Sequence, residues 1–522
     1  MNTPTTEQAQ NQQDAAAPAT STPPAQAGAR RWIALAFICV SVLLAVVNST
    51  VVNIALPTLG RDLGASTTAM QWIVDAYTLV FAVMLLTGGG LGDRFGRKTT
   101  LHIGLVLFAI FSLAAANADS TGQLIAAQAA MGLAAALIYP ATLALLSTIF
   151  TDRKERAAAI GIWSAVSGLG AAVGPVAGGL LLKHFSWNSV FLVNLPLIAV
   201  ALAGGLVLLP NSRAERIGRF DVLGALLSMA GVGLLVRTVI QAPADGWHSA
   251  LTLGGFAAAA LLFALFAWWE SHTDEPLLDI GIFRDRRVTA ACVAILMAFL
   301  GLLGFVFLIT QYFQAIRGYD TLKTGLAILP FAAVMGVMSP LGMALTVKIG
   351  PRIVICLGML SLTGGFVITT QVTATSNYWG SVVASMVLMA AGLAWGTAPA
   401  TESIMSSLSA DKFGAGSAVN DTTREIGAAL GIAVIGSVMN QVFADRIASG
   451  FGPLGLPAEP ASKSLVAALG VVSDLRGQPA VQALAVTRSA FMDALHSGAT
   501  AAAVATASAA VVVGILMPGR RG

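Results

Sequence analysis

The sequence predicts an all-α polytopic membrane protein of fourteen spans, and three observations carry that reading. Of 522 residues, 56% are hydrophobic and only 10% charged, where a soluble domain is about a quarter charged. The apolar residues fall in runs of about 20, the length that crosses a bilayer. The basic residues sit in the breaks between runs, alternately crowded and sparse, as the positive-inside rule requires of a single orientation. That clustering also explains the net charge of +4 without nucleic acid, whose binders line their bases along one face.

Residues 1–31 open the chain with Ala, Pro, Gln and Thr and are expected as a disordered cytoplasmic tail. No signal peptide is visible, and Arg30 and Arg31 hold the first span inside. Spans are expected near 32–57, 70–91, 99–117, 121–150, 157–182, 188–209, 220–241, 250–270, 288–314, 324–347, 352–372, 376–401, 414–442 and 496–517. With the N-terminus inside, nineteen of the 29 Lys and Arg fall on inner segments and eight on outer ones. Arg237 and Arg424 remain within spans. A long outer loop, 443–495, holds two amphipathic stretches, near 462–470 and 480–495, expected as short interfacial helices. Residues 518–522 end the chain as a cytoplasmic tail. Cys39, Cys292 and Cys356 lie within apolar runs and read as small packing residues.

The break at 88–98, GGGLGDRFGRK, places four charges in six residues between two spans. Charges leave hydrocarbon for the nearest interface, and basic loops stay cytoplasmic. A degenerate copy, GMALTVKIGPR at 342–352, aligns Gly350 on Gly96 and Lys348 on Arg94, eight spans later. Two six-helix halves, 32–209 and 288–517, around an inserted pair at 210–287 give that offset. The pattern Gly89, Leu91, Asp93, Arg94, Gly96, Arg97, Lys98 resembles the signature loop of the major facilitator superfamily. The fourteen-span count, with EPLLDIGIFR at 275–284 and GLAILP at 325–330, is similar to its drug:proton antiporter branch. The resemblance implies parallel repeats about an axis along the membrane normal.

In span five, SGLGAAVGPVAGG repeats Gly170, Gly174 and Gly178 every four residues, so one helix face is bare and a neighbour can approach closely. Pro175, before Gly178 and Gly179, removes a backbone hydrogen bond beside that face. With no preceding strand, this is no nucleotide loop. It resembles the superfamily's antiporter motif. VVNSTVVNIALPTL in span one looks like the drug-antiporter branch's first-helix motif, but Asn48 stands where the family has Asp. In span four, Gln128 stands at the family's buried Arg. Losing both charges leaves no orphan, and neither amide carries a proton. Both are expected to line the cavity by hydrogen bonding, beside Trp72 and Tyr77, whose aromatic surface suits cations.

The ionisable groups left at depth are Asp75 in span two, Glu402 at the inner end of span twelve, and Asp421, Arg424 and Glu425 in span thirteen. Such residues are expensive in a membrane and point to function. Asp421 shares a helix face with Arg424 and Glu425. One Arg cannot neutralise two acids, with Glu402 expected nearby, so an unpaired acid there is a candidate proton carrier. A static inner-gate cluster is the other reading of 421–425, and both stay open.

The expectation is therefore a multi-pass transporter of a bacterial-type inner membrane, both termini cytoplasmic, exporting lipophilic or cationic small molecules by alternating access, in exchange for protons. No cofactor is implied beyond the proton gradient; the partners are substrate, protons and lipid, with no nucleic acid. Asp93 and the bases beside it are expected to hold the halves together at the inner face. Two rivals remain. One is an exporter of an endogenous lipid, siderophore or metabolite, motivated by Asn48 and Gln128. The other is a lipid-acting membrane enzyme, which would need an interfacial His/Asp/Glu cluster that the sequence does not display.

Overall fold

The computed structural model describes residues 28–63, 67–213, 220–462 and 464–519. The expected tails lie outside these residues except for 28–31, which form the first turn of α1, and 518–519. Fourteen long helices follow in order. In the N-terminal half they are α1 (Gly28–Asp62), α2 (Thr67–Phe95), α3 (Arg97–Ala116), α4 (Thr121–Ile149), α5 (Arg153–His184) and α6 (Asn194–Leu208). The inserted pair is α7 (Val222–Asp245) and α8 (Ala250–Glu270). The C-terminal half holds α9 (Arg286–Gln311), α10 (Thr321–Ile349), α11 (Pro351–Thr369), α12 (Val383–Ser406), α13 (Phe413–Phe451) and α14 (Gln478–Leu516). Thirteen spans among the described residues are long and apolar enough to cross a membrane. The fourteenth expected span is α5, whose 32 residues extend about 48 Å, well beyond a hydrocarbon core of about 30 Å.

Helix starts are written in short polar residues. Asp152, Asp221, Ser249, Asp285 and Asp320 each accept a hydrogen bond from a first-turn N–H of α5, α7, α8, α9 and α10, satisfying donors that have no intrahelical partner. The two related elbows have one backbone solution. A single residue joins α2 to α3 and α10 to α11, Gly96 with φ +100° and Gly350 with φ +90°, where a Cβ is strained.

Each half has its own core, with Met405 and Phe413 of the C-terminal half reaching into that of the N-terminal half. One joins residues of α1–α6 around Phe108, Phe150 and Trp163, and the other joins α9–α14 around Phe305, Phe366 and Phe491. The inserted pair packs outside this duplex. Val232 and Val236 of α7 lie on Ala82 of α2, and Phe266 of α8 meets Leu86 of α2 and Ala418 of α13. Glycines let α13 lie directly on α9, where a Cβ at Gly427 or Gly431 would stand 3.0 Å from the Cα of Leu296 or Leu300.

The outer loop differs from expectation. α13 continues to Phe451 and α14 starts at Gln478, so the stretch at 480–495 belongs to a 39-residue helix. Of the two interfacial helices expected, only the first is separate, at Leu465–Ser473. Asp445, Arg446, Arg488 and Asp493 make these turns read as loop, yet Ile447, Phe451, Ala483 and Phe491 keep a buried stripe. Arg446 Nε pairs with Asp493 Oδ2 at 2.9 Å and ties the two extensions together.

Candidate functional site

The halves meet at the end that carries 88–98. Asp93 closes α2, and Arg97, one turn later across Gly96, turns back onto it: Nε and Nη2 donate to Oδ1 at 3.0 and 2.7 Å. The backbone N–H of Gly414 donates to the same oxygen at 3.0 Å, and that of Ala415 to Oδ2 at 3.1 Å. These are first-turn donors of α13, so the carboxylate of one half caps the positive end of a helix from the other. Arg97, 2% exposed, also donates to Ala410 O at 2.5 Å and Thr148 Oγ1 at 2.7 Å and lies over the Phe413 ring. Gly89 makes the approach possible, since a Cβ there would reach Gly414 O and stand 2.8 Å from Ala418 Cβ.

A second lock joins Arg156 of α5 to Glu402 of α12, with Nη2 on Oε1 at 3.0 Å. Glu402 was expected near the acids of α13; it is taken up by Arg156 instead, a partner 246 positions away. A third pair, Lys412 with Asp279, is 3.1 Å and largely exposed. The Lys412 ammonium and the Gly281 N–H hold the Asp279 carboxyl below the usual carboxylate range. The remaining signature bases do other work: Lys98 Nζ donates to Leu206 O within its own half, and Arg94 lies over Phe95.

Deeper in, α13 presents Asp421, Arg424 and Glu425. Asp421 is 1% exposed and accepts from Asn420 Nδ2 at 2.8 Å, while Thr401 of α12 donates to Asn420 Oδ1 at 2.8 Å. Arg424 Nη1 stands 3.8 Å from Asp421 Oδ1, the i, i+3 pair the helix predicts. Its Nη2 crosses to the N-terminal half and donates to Ser167 Oγ at 2.9 Å. The guanidinium lies 4.4 Å from the Phe299 centroid, 5.2 Å from Trp163 and 5.5 Å from Tyr139. Tyr139 continues into Phe81 and Tyr77, whose hydroxyl donates to Ala45 O. Glu425 is half-buried and, among the described residues, forms no salt bridge.

Other expected site residues are dispersed. Asp75 is half-buried on α2 without an ion-pair partner among the described residues, and Trp72 is 42% exposed at the periphery. Asn48 and Gln128 do not line an open cavity: they are 0% and 1% exposed. Asn48 Oδ1 accepts from Asn194 Nδ2 at 3.3 Å, and Asn194 also donates to Ser112, so the amide is absorbed into packing among α1, α3 and α6. Gly170 and Gly178 of α5 face α1, where a Cβ would come within 2.9 Å of Val46 or Val51, and Gly174 presses on Thr50. The helix runs unbroken through Pro175 and Gly179. Gly170, Gly174 and Gly178 thus pack α5 on α1 within one half, while Gly168 and Val176 of the same stretch, with Gly161 before it, meet Met335, Gly325 and Met343 of α10 in the other half.

Sequence reasoning missed Tyr139, Trp163, Ser167 and Phe299. Trp163 and Ser167 lie four apart on one face of α5, a signal hidden by the glycines that follow. Among the described residues no three His, Cys, Asp or Glu gather as a metal site.

Two halves clasped at one end and a charged cluster between them is a transporter's arrangement, and the Major Facilitator Superfamily model matches residues 38–432. The chain belongs to the Major Facilitator Superfamily. Within it, the chain is 35% identical over 489 residues to the multidrug efflux pump LfrA of Mycolicibacterium smegmatis, covering 93% of this chain and 96% of that one. It is 33% identical over 472 residues to the methyl viologen resistance protein SmvA of Salmonella typhimurium, covering 89% and 93%. The human organic anion transporter MFSD10 shares the fold, with a TM-score of 0.60 over 92% of this chain and 99% of that one at 13% identity.

Proposed function

We propose that this superfamily member is a secondary active exporter of lipophilic or cationic small molecules, drugs included, working by alternating access in exchange for protons. The bundle sits in an inner membrane with both termini cytoplasmic, as the distribution of bases supports. It performs no catalytic step and needs no cofactor beyond the proton gradient. The relatives' names, multidrug efflux and methyl viologen resistance, support the substrate class.

The observation that carries the mechanism is Asp93 seated on the N–H groups of Gly414 and Ala415. Opening to the cytoplasm requires that carboxylate to leave the helix end and Arg156 to part from Glu402. Binding energy realised differently in the two states drives the exchange. Asp421 and Glu425 serve as the proton sites, because they share one cation at the seam between the halves. Asn48 and Gln128 hold no proton there.

The test uses the purified protein in liposomes with an imposed pH gradient and methyl viologen as probe. The expected result is probe movement opposite to proton flow, lost on adding an uncoupler. A transport rate indifferent to the gradient overturns the antiport.

A further inference from the structure

We propose that Phe299, Trp163 and Tyr139 form the subsite for the substrate's cationic group, and that Arg424 is its internal occupant, a tethered cation which the substrate displaces. The inference rests on the proposed export of cations and names the residues that receive them.

The rings come from three helices and both halves: Tyr139 from α4, Trp163 from α5 and Phe299 from α9. They surround the guanidinium at 4.4 to 5.5 Å from its carbon, the arrangement that recognises ammonium and pyridinium groups. The N-terminal half of the box has supports besides its occupant, although Ser167 serves both. Trp163 is 0% exposed with Nε1 on Thr142 Oγ1 at 3.1 Å. The Tyr139 hydroxyl is 2.6 Å from Ser167 Oγ, and Phe81 stands edge-on to its ring.

Arg424 is held less firmly than its box. Its fork offers five N–H donors. The bonds described are one to Ser167 and a 3.8 Å approach to Asp421, too long for a hydrogen bond. A delocalised cation on a long stem, anchored mainly by ring faces, is exchangeable for another delocalised cation. Displacement has a destination: Glu425, the adjacent residue, forms no salt bridge among the described residues, and Asp421 is one turn back. With substrate in the ring box the two acids face two cations, Arg424 and the substrate, where before they faced one, and neutral substrates gain nothing from the exchange.

The test is equilibrium binding of tetraphenylphosphonium, and of the neutral dye Nile red, to the purified full-length protein, beside transport of both by liposomes. Arg424→Gln removes the competitor and is expected to tighten tetraphenylphosphonium binding about tenfold without moving the Nile red affinity. Arg424→Lys keeps a tethered cation and is expected within about threefold of the unmodified protein. Phe299→Leu is expected to weaken cation binding about tenfold with Nile red unchanged. Unchanged cation affinity in Arg424→Gln, or equal shifts for both probes, overturns the proposal and makes Arg424 a strut between the halves. Because binding is read directly, loss of transport in a variant does not obscure the result. An unmodified protein that transports neither probe overturns the export reading itself; one that transports both, with the cation preference untouched by Arg424→Gln, overturns only the subsite.

Discussion

Asp93→Asn tests the inner gate most directly. The Asp93 carboxylate accepts four hydrogen bonds, two from Arg97 and one each from the N–H groups of Gly414 and Ala415. An amide keeps its acceptor oxygen but loses the charge, and its NH2 faces donors. Arg97, 2% exposed, then stands without a counter-charge, a change that costs about 3–5 kcal/mol in buried pairs. The lost carboxylate at the end of α13 adds up to about 2 kcal/mol. In the proposed mechanism only the closed inner state makes these contacts, so even about 3 kcal/mol shifts the balance toward the open state more than a hundredfold. The reporter is Ser417→Cys in a background without Cys39, Cys292 and Cys356; Ser417 is 0% exposed and one turn into α13. In inside-out vesicles an impermeant maleimide is expected to label this cysteine at least about tenfold faster in Asp93→Asn, with export slowed. Labelling and export at unmodified rates, at normal membrane abundance, would refute the reasoning.

Glu425→Gln removes an acid that forms no salt bridge among the described residues, so its thermal stability is expected to change by less than about 1 kcal/mol while export loses its response to an imposed pH gradient. An intact response would move the proton site elsewhere. Gly174→Val drives a side chain into Thr50 of α1. It is expected to cost about 1–3 kcal/mol, read as a lower unfolding temperature with unaltered Ser417→Cys labelling, because both helices belong to one half. For Asp279, the folded pKa lies below its ordinary 3.8, so the contribution of its pair with Lys412 is complete above that value. It is lost as pH falls through the lower folded value. At this exposure the pair is worth less than about 1 kcal/mol, and Asp279→Asn is expected to shift melting slightly at pH 7 and not at all once the pH is below the folded pKa.

Hydropathy made the spans and the duplication legible. The alignment of Gly350 on Gly96 reappears as the same backbone conformation, +90° against +100°, because a one-residue elbow between two helices admits few φ values. The extensions of α13 and α14 escaped it, since window averages treat Arg446 and Asp493 as loop while their neighbours keep a buried stripe. Least legible were the partners. Depth in a span singles out a charge, yet Asp93 finds its ligands 321 and 322 positions away, and they are backbone N–H groups without a side-chain signal. Arg424 meets Ser167 across 257 residues. Asn48 and Gln128 show the converse: their family positions suggested a cavity, and packing against Asn194 absorbed Asn48 into the core.

Under the proposed alternating access, Gly427 and Gly431, which seat α13 on the backbone of α9, serve as the fulcrum of a lever. On one side of that bearing, about 20 Å along the helix axis, lie the N–H groups that grip Asp93, and Arg424 lies between them and the pivot. A tilt of about 10° about the bearing carries the gripping end roughly 3–4 Å, enough to break every hydrogen bond at the gate. The same tilt moves the Arg424 backbone about a third as far, within the play of a long side chain. Gate travel is thus geared up from a small displacement at the ring box, and the gearing ratio is set by where along α13 the two glycines fall.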